Sequence, residues 1–288
     1  MSAGKVLIVA TSATKLTDGR QTGCWVEEVA SPYLLWREKG LSVVVASVAG
    51  GAIPWDEAST SGDFFTPEAD AFMKNAESAA AIQSTKIAEE ILAGGIDSYD
   101  ALFVPGGHGI CFDGTSGVVI KLVEAFWNAG KVVSAVCHGP CALVTAQDAA
   151  GNSILKGRAC TGFTDAEERA VGKDQAVPFL LEQRMRELGG AFVAGPDWHP
   201  HAVSDGKLIT GQNPASSKRV AELVVEAPAP ARPPCARLAR PPTCRVKHQE
   251  EHHHHDHHDQ HPRQGARHDE VDPTKARSSW HQTYRPPI

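Results

Sequence analysis

Short apolar runs rich in β-branched residues alternate with longer amphipathic stretches along residues 1–227. The runs are apolar at consecutive positions, which is typical of parallel strands covered by helices on both faces of a sheet. They lie at residues 5–10, 42–47, 100–104 and 131–136, with shorter ones at 191–193 and 207–210. The pattern predicts an α/β fold built on a mostly parallel central sheet.

Between the runs, helical periodicity and terminal glycines predict the helices. They are expected at residues 25–39, 117–129 and 178–188, with a last helix that begins at Pro214 behind a capping Asn213. Residues 50–84 have weak periodicity and predict a long insertion with one or two short helices. Residues 172–177 are a second irregular link.

The composition changes sharply after Ala227. Residues 228–288 contain ten Pro, ten His and only six large apolar or aromatic side chains, too few to offset the entropy of ordering the backbone. We expect a disordered tail here and one catalytic domain at residues 1–227. The net charge of −6 is the sum of two unlike segments. The tail has ten Lys and Arg against seven Asp and Glu, a charge of +3, so residues 1–227 carry −9.

An acidic body offers no long-range attraction for nucleic acid or for an anionic membrane. No apolar run approaches the roughly 18 residues that span a bilayer, and the run at residues 6–10 is too short for a signal-peptide core. The seven cysteines show no disulfide-framework spacing. These features predict a soluble cytosolic protein.

The sharpest local motif is Ala135-Val-Cys-His-Gly139, in which a strand runs directly into a tight turn between small residues. Such an elbow lifts its central side chain above the sheet. A helix that begins after Cys137 would favour the thiolate, so we expect a nucleophilic cysteine there. The alternative is a buried structural cysteine.

His138 follows the cysteine and is a candidate general acid and base, although it can also be a helix-start residue with a local hydrogen bond. Its backbone N–H and that of Gly107 would form an oxyanion hole if the loop Pro105-Gly-Gly-His-Gly109 lies beside the elbow.

Two carboxylates on the first helix compete for the third position of the site. Glu28 interrupts an apolar stripe formed by Trp25, Pro32 and Leu35, whereas Glu27 does not. A carboxyl in an apolar stripe has a raised pKa and can share a proton with a thiol, so we choose Glu28. The alternative is that both are solvated first-turn residues.

Other polar features give weaker evidence for a functional site. His199-Pro-His201 lacks a further ligand at metal spacing, and Cys111 and Cys141 line the pocket or simply pack. The His-rich tract at residues 250–261 is a low-complexity segment rather than a dedicated metal site. We therefore predict neither a metal site nor a cofactor.

Around Cys137-His138 the sequence resembles the ThiJ/PfpI (DJ-one) superfamily, of the class I glutamine amidotransferase-like fold. The resemblance rests on motifs in the family order along residues 1–227: Thr22-Gly-x-Trp-x-Glu-Glu28, Pro105-Gly-Gly-His-Gly109, Ala135-Val-Cys-His-Gly-Pro140, Thr161-Gly-Phe-Thr-Asp165, Val177-Pro-Phe-Leu-Leu-Glu182 and Asp205-Gly-Lys-Leu-Ile-Thr-Gly-Gln-Asn-Pro214. It is similar in particular to the heat-shock-inducible chaperone branch, whose members are glutathione-independent glyoxalases, also called glyoxalase III.

The resemblance implies a flavodoxin-like three-layer α/β/α sandwich, a homodimer, and a site of Cys137, His138 and Glu28. It implies cofactor-free conversion of a small 2-oxoaldehyde such as methylglyoxal to D-lactate, in a pocket that we expect to be small. A holdase chaperone, an oxidation sensor that uses Cys137, and a deglycase or cysteine peptidase are the alternatives. Glutamine amidotransferase activity is disfavoured, since Glu167-Glu168 has no histidine beside it.

Overall fold

The computed structural model of the chain describes residues 4–115 and 117–228. The predicted tail, apart from Pro228, and its His-rich tract lie outside these residues. None of the described helices is long and apolar enough to cross a membrane.

The described residues form a central seven-stranded sheet and a separate two-stranded one. The strands are β1 (Lys5–Ala10), β2 (Ser42–Ser47), β3 (Lys86–Ile87), β4 (Ala101–Val104), β5 (Val132–Val136), β6 (Ala159–Cys160), β7 (Ala191–Phe192), β8 (Ala202–Asp205) and β9 (Leu208–Gly211). The central order is β3-β2-β1-β4-β5-β9-β8, parallel except for the β8–β9 pair. The mostly parallel α/β prediction is confirmed.

The strands are joined by helices and short 3₁₀ turns. The helices are α1 (Val26–Glu38), α2 (Pro67–Lys74), α3 (Ala76–Gln83), α4 (Ala88–Gly94), α5 (Ile110–Asp113), α6 (Gly117–Asn128), α7 (Asp165–Ala170), α8 (Leu181–Glu187) and α9 (Ser217–Glu226). The 3₁₀ turns are Glu57–Ser59, Gly62–Phe64, Gly139–Leu143 and Pro214–Ser216. The insertion at residues 50–84 thus contains two short helices, as its sequence indicates.

The core follows from the apolar character of the central strands, since β1, β4 and β5 are buried along almost their whole length. On α1, Trp36 is fully buried, packs edge-to-face on Phe103 of β4, and donates its indole N–H to the Ala221 carbonyl of α9 at 3.1 Å. Helix α6 buries Val119, Leu122 and Phe126. Helices on both faces explain why these strands read as continuous apolar runs.

Two predicted helix starts differ from the structure. The helix expected at residues 178–188 begins only at Leu181, because Pro178 and the two residues after it are non-helical. The last helix begins at Ser217, after a 3₁₀ turn at Pro214–Ser216 that Asn213 caps together with the Ser216 hydroxyl. Pro214 lies in the first turn of the 3₁₀ segment, whereas Pro178 lies three residues before the start of its helix.

Candidate active site

The candidate site lies at the carboxyl ends of three adjacent strands. In the order of the sheet β1 neighbours β4 and β4 neighbours β5, while the chain leaves β1 toward β2 on the other side. Such a reversal of strand order opens a crevice between neighbouring loops. The segments after β1, β4 and β5 supply Glu28, the loop at residues 105–109, and Cys137. The topology therefore brings together Cys137, His138, Glu28 and the glycine loop.

Cys137 sits on a strained turn at the end of β5. Its φ angle is 59°, in the left-handed region that residues other than glycine rarely adopt. The turn is tight because Gly139 packs on the backbone of β4, where an added Cβ would lie 2.1 Å from the Val104 carbonyl oxygen. The predicted elbow is present, and it holds the sulfur in a buried position, 3% exposed.

The expected route to a thiolate is wrong. The segment after the elbow is a fully buried five-residue 3₁₀ turn, Gly139–Leu143, so no long helix points its dipole at the sulfur. Burial and the adjacent Glu28 carboxyl raise the pKa of the Cys137 thiol well above its usual value, and a hydrogen bond from the Gly107 N–H opposes them only in part. The resting sulfur is therefore a thiol, and a base must accept its proton.

His138 lies where it can accept that proton. Its Nδ1 is 3.3 Å from the Cys137 sulfur, and its Nε2 is 2.6 Å from Oε2 of Glu168. The ring is almost fully buried and packs on Phe163, with 4.4 Å between ring centroids. Because both ring nitrogens face a partner, the imidazole has one fixed orientation.

Glu168, on α7, was missed as a site residue by sequence reasoning. The carboxylate is buried and contacts two histidines, with Oε2 on His138 and Oε1 at 2.8 Å from Nε2 of His108. Burial alone would raise the pKa of Glu168, but the charges and hydrogen bonds of the two histidines outweigh it and hold that pKa well below its usual range. Glu168 is therefore the ionised partner that completes a Cys–His–carboxylate chain.

Lys173 fixes the protonation state of the second histidine. Its ammonium is 3.4 Å from Nδ1 of His108 and 3.3 Å from Asp56. Since an ammonium only donates hydrogen bonds, Nδ1 of His108 must accept, and the proton of the ring lies on Nε2, where it is donated to Glu168. Burial and the neighbouring His138 lower the pKa of His108 to about 4, consistent with a neutral ring.

Glu28 is the buried carboxyl of the pair on α1. It is fully buried, its Oε2 accepts the Gly106 N–H at 2.6 Å, and its Oε1 has no hydrogen-bond partner among the described residues. Burial raises the pKa of Glu28 to about 8, against hydrogen bonds from Cys137 and Gly106. The carboxyl therefore holds a proton near neutral pH and can exchange it with groups beside the sulfur.

Glu27 points elsewhere. Its carboxylate accepts a hydrogen bond from the Thr66 hydroxyl in the insertion, and the side chain lines the outer cavity. The two carboxylates therefore lie where helical spacing predicts: Glu28 is next to the thiol, and Glu27 points away from it.

The glycine loop after β4 lies against the elbow. A Cβ on Gly106 would come within 2.6 Å of the His138 backbone nitrogen, so only glycine permits this approach. Gly107 has a φ of +82°, and in the described part of the chain neither its N–H nor that of His138 donates to an oxygen atom. The Gly107 N–H thus points at the Cys137 sulfur and the His138 N–H lies beside it, the arrangement expected of an oxyanion hole.

A cavity of about 500 Å³ opens over these groups. The expectation of a small pocket is therefore wrong. Its walls combine the reactive groups with aromatic and apolar side chains and with part of the insertion. The lining residues are Trp25, Glu27, Ala58, Asp63, Phe64, Thr66, Gly107, His108, Cys137, His138, Phe163, Val171, Lys173, Trp198, Asn213, Pro214 and Ala215. The insertion thus covers one side of the site.

Possible metal ligands occur in one group of the described residues, where ligand atoms of His108, His138 and Glu168 lie within 4.8 Å of one another. These atoms already hydrogen-bond one another, and the Lys173 ammonium adds positive charge beside them. A cation would have to displace the protons that the two rings share with Glu168. Elsewhere, His199 and His201 contact backbone carbonyl oxygens, and the sulfurs of Cys111 and Cys141 lie 3.5 Å apart.

Comparison with known proteins identifies relatives of this chain. The profile of the DJ-1/PfpI family matches residues 22–227. Glyoxalase 3 of Candida albicans is 33% identical over 77% of this chain and 98% of its own length. The glutathione-independent glyoxalase HSP31 of Saccharomyces cerevisiae is 31% identical over 79% of this chain and 99% of its own length. The crystal structure of glyoxalase III from Candida albicans superposes with a TM-score of 0.70 at 32% identity, covering 78% of this chain and 97% of that one.

Proposed function

Because the chain belongs to the DJ-1/PfpI family, and its site joins a Cys–His–Glu chain to a protonated second carboxyl, we propose that it is a glutathione-independent glyoxalase. The reaction is that of a glyoxalase III, or D-lactate dehydratase, in which methylglyoxal and water give D-lactate. The observation that carries the proposal is the position of Glu28, since a second proton-transfer group beside the thiol is what distinguishes an isomerising site from a purely hydrolytic one.

The first step adds the Cys137 sulfur to the aldehyde carbon. The thiol proton passes to Nδ1 of His138 over the 3.3 Å contact, and Glu168 stabilises the imidazolium that forms. The aldehyde oxygen gains negative charge as the C–S bond forms, and the N–H groups of Gly107 and His138 stabilise it. Return of a proton from the imidazolium gives a neutral hemithioacetal.

The second step moves hydrogen between the two substrate carbons. Glu28, in its ionised form, removes the proton from the former aldehyde carbon to give an enediolate, and then returns it to the neighbouring carbon. The hydroxyl proton of the first carbon passes through His138 to the oxygen of the second. The first carbon becomes a thioester as the second becomes an alcohol, so the oxidation and the reduction balance within the substrate. Water, activated by His138, cleaves the thioester and regenerates the thiol with release of D-lactate. This sequence consumes no glutathione.

The test measures D-lactate from methylglyoxal without glutathione for the wild type, Cys137→Ala and Cys141→Ala. We expect turnover by the wild type and by Cys141→Ala, whose sulfur contacts Cys111 rather than His138. Cys137→Ala is expected to be inactive. Full activity in Cys137→Ala would refute the proposal.

A homodimer and a cytosolic location are part of the same proposal. The five cysteines that the described residues contain are all unpaired thiols, which supports a reducing compartment. The dimer rests on the family resemblance, and size-exclusion chromatography with light scattering tests it directly.

A further inference from the structure

The cavity is much larger than the substrate named above. A volume of about 500 Å³ is in the range of pockets that enclose drug-sized ligands, whereas methylglyoxal is a three-carbon molecule. The reactive groups occupy the deep end, since Cys137 is only 3% exposed and His138 only 1%. A methylglyoxal bound at the sulfur would leave the outer part of the cavity filled with water.

That outer part is aromatic. From His138 a stack of rings leads outward, with Phe163 packed at 4.4 Å from the imidazole and Trp198 edge-to-face on Phe163 at 5.9 Å. A second pair, Trp25 and Phe64, packs edge-to-face at 5.4 Å in the same lining. Edge and face surfaces of this kind bind a further aromatic ring favourably.

Three of these apolar lining residues are exposed to solvent at the mouth. Phe64 is 52% exposed, Trp198 44% and Val171 39%, and they come from three separate segments of the chain. Exposed large apolar side chains that converge on one opening mark a binding surface rather than a random feature. Their convergence above a nucleophile indicates a ligand that carries both an apolar group and an electrophile.

Trp198 is held in place at a cost in backbone conformation. Its φ is 63°, a strained value for a tryptophan. Its backbone N–H donates a hydrogen bond to Oε1 of the buried Glu167 at 2.8 Å. The same oxygen accepts the Asn213 side-chain amide at 2.8 Å. A buried carboxylate thus fixes the strained residue that places an indole at the mouth.

The charges of the lining determine which substituents fit. Among the described residues that line the cavity, Glu27 and Asp63 carry carboxylates, and the one lysine, Lys173, already pairs with Asp56 and His108. A negatively charged substituent would meet carboxylates without an unpaired cation to offset them, whereas an uncharged apolar group would not.

On the premise of the glyoxalase activity proposed above, we infer that the preferred substrates are uncharged 2-oxoaldehydes with an aromatic or similarly large apolar substituent. The aldehyde end lies at Cys137 and the ring lies between the Phe163–Trp198 stack and Phe64. The chemistry is unchanged, since the aryl 2-oxoaldehyde gains one water and gives the corresponding 2-hydroxy acid without an oxidant or a reductant.

The experiment compares kcat/KM for phenylglyoxal, 4-carboxyphenylglyoxal and methylglyoxal in glutathione-free buffer, with Cys137→Ala protein as the blank. We expect kcat/KM for phenylglyoxal to be about 10-fold or more above kcat/KM for methylglyoxal. We also expect it to be about 10-fold above kcat/KM for 4-carboxyphenylglyoxal. Phe64→Ala and Trp198→Ala should each lower the phenylglyoxal-to-methylglyoxal ratio by about 5-fold or more. Trp198→Phe keeps a ring and should retain most of that ratio. Val225→Ala, at a comparably exposed site on α9 outside the cavity, should leave the ratio unchanged.

If the wild type turns over methylglyoxal but its phenylglyoxal-to-methylglyoxal ratio of kcat/KM is at or below one, this inference is overturned and the proposed function stands. A ratio that Phe64→Ala and Trp198→Ala do not move, in variants whose circular dichroism matches the wild type, also overturns it. If those two variants instead lose suppression of client-protein aggregation, the mouth is a protein-docking surface and the inference is wrong. Absence of turnover with every aldehyde refutes the proposed function and this inference together.

Discussion

Glu28→Gln should make the protein inactive and at the same time remove a pH-dependent loss of stability. Burial raises the pKa of Glu28 from 4.5 to about 8, so between these values the folded state holds a proton that the unfolded state releases. Stability contributed by that proton is complete below pH 4.5 and is lost as the pH rises toward 8. From pH 5 to pH 8 the group lowers the free energy of unfolding by about 3 to 4 kcal/mol.

Glutamine keeps an acceptor for the Gly106 N–H and carries no proton to lose. The difference in unfolding free energy between Glu28→Gln and the wild type should therefore shift in favour of the variant by about 3 to 4 kcal/mol over this pH range. Urea unfolding at pH 5, 6, 7 and 8 measures it, with Glu38→Gln at the exposed end of the same helix as the control. Parallel pH profiles for the wild type and Glu28→Gln would refute a buried, protonated carboxyl at this position.

The same pKa predicts that kcat/KM for methylglyoxal increases with pH through about 8, as Glu28 ionises to act as the base; a profile that is flat from pH 6 to 9 would contradict this role. Glu168→Gln should lower kcat/KM by about 10³-fold, because an amide cannot stabilise the His138 imidazolium. A loss below tenfold would argue against a catalytic Cys137–His138–Glu168 chain. Gly106→Ala should cost about 10²-fold in rate by displacing the His138 amide, with circular dichroism unchanged; wild-type kinetics would show that the approach does not matter. Removal of residues 228–288 should leave turnover intact, since the cavity lining lies within residues 25–215, and a rate below half that of the full chain would contradict this.

The strands and the elbow could be predicted because their signals are local. The apolar run of β1 reflects helices on both faces, and Ala135 and Gly139 flank the strained Cys137 as a tight turn requires. Glu28 could also be predicted, since an acidic residue inside an apolar helical stripe has to be buried when that stripe packs. Its buried position confirms the spacing argument, and its catalytic role stays a prediction.

Glu168 and His108 could not be found in this way. Glu168 lies on a six-residue helix, too short for a periodic pattern, and it reaches His138 only because α7 folds back over the ends of β4 and β5. The lack of a histidine beside Glu167-Glu168 counts against amidotransferase activity, but the histidine that Glu168 contacts, His138, is 30 positions away in the sequence. The available signals were the capping box at Thr164, which satisfies Glu167 and leaves Glu168 unassigned, and the histidine in the glycine loop.

The protonation state of the Cys137 thiol could not be predicted from the sequence either. An elbow motif indicates a helix dipole behind the sulfur, but the length and type of the following turn depend on tertiary packing of Gly139–Leu143. Pocket size likewise depends on where Phe64 and Trp198 are placed by segments far apart in the chain. Both are properties of the assembled fold.

The most direct test of the central claim is to quench the reaction with methylglyoxal in acid within its first turnovers and map the modified peptide by mass spectrometry. The mechanism predicts one substrate added to the peptide that contains Cys137, as the thioester, with its loss on further incubation matching D-lactate release. Full turnover with no adduct at Cys137, or with an adduct on another cysteine whose substitution abolishes activity, would contradict it.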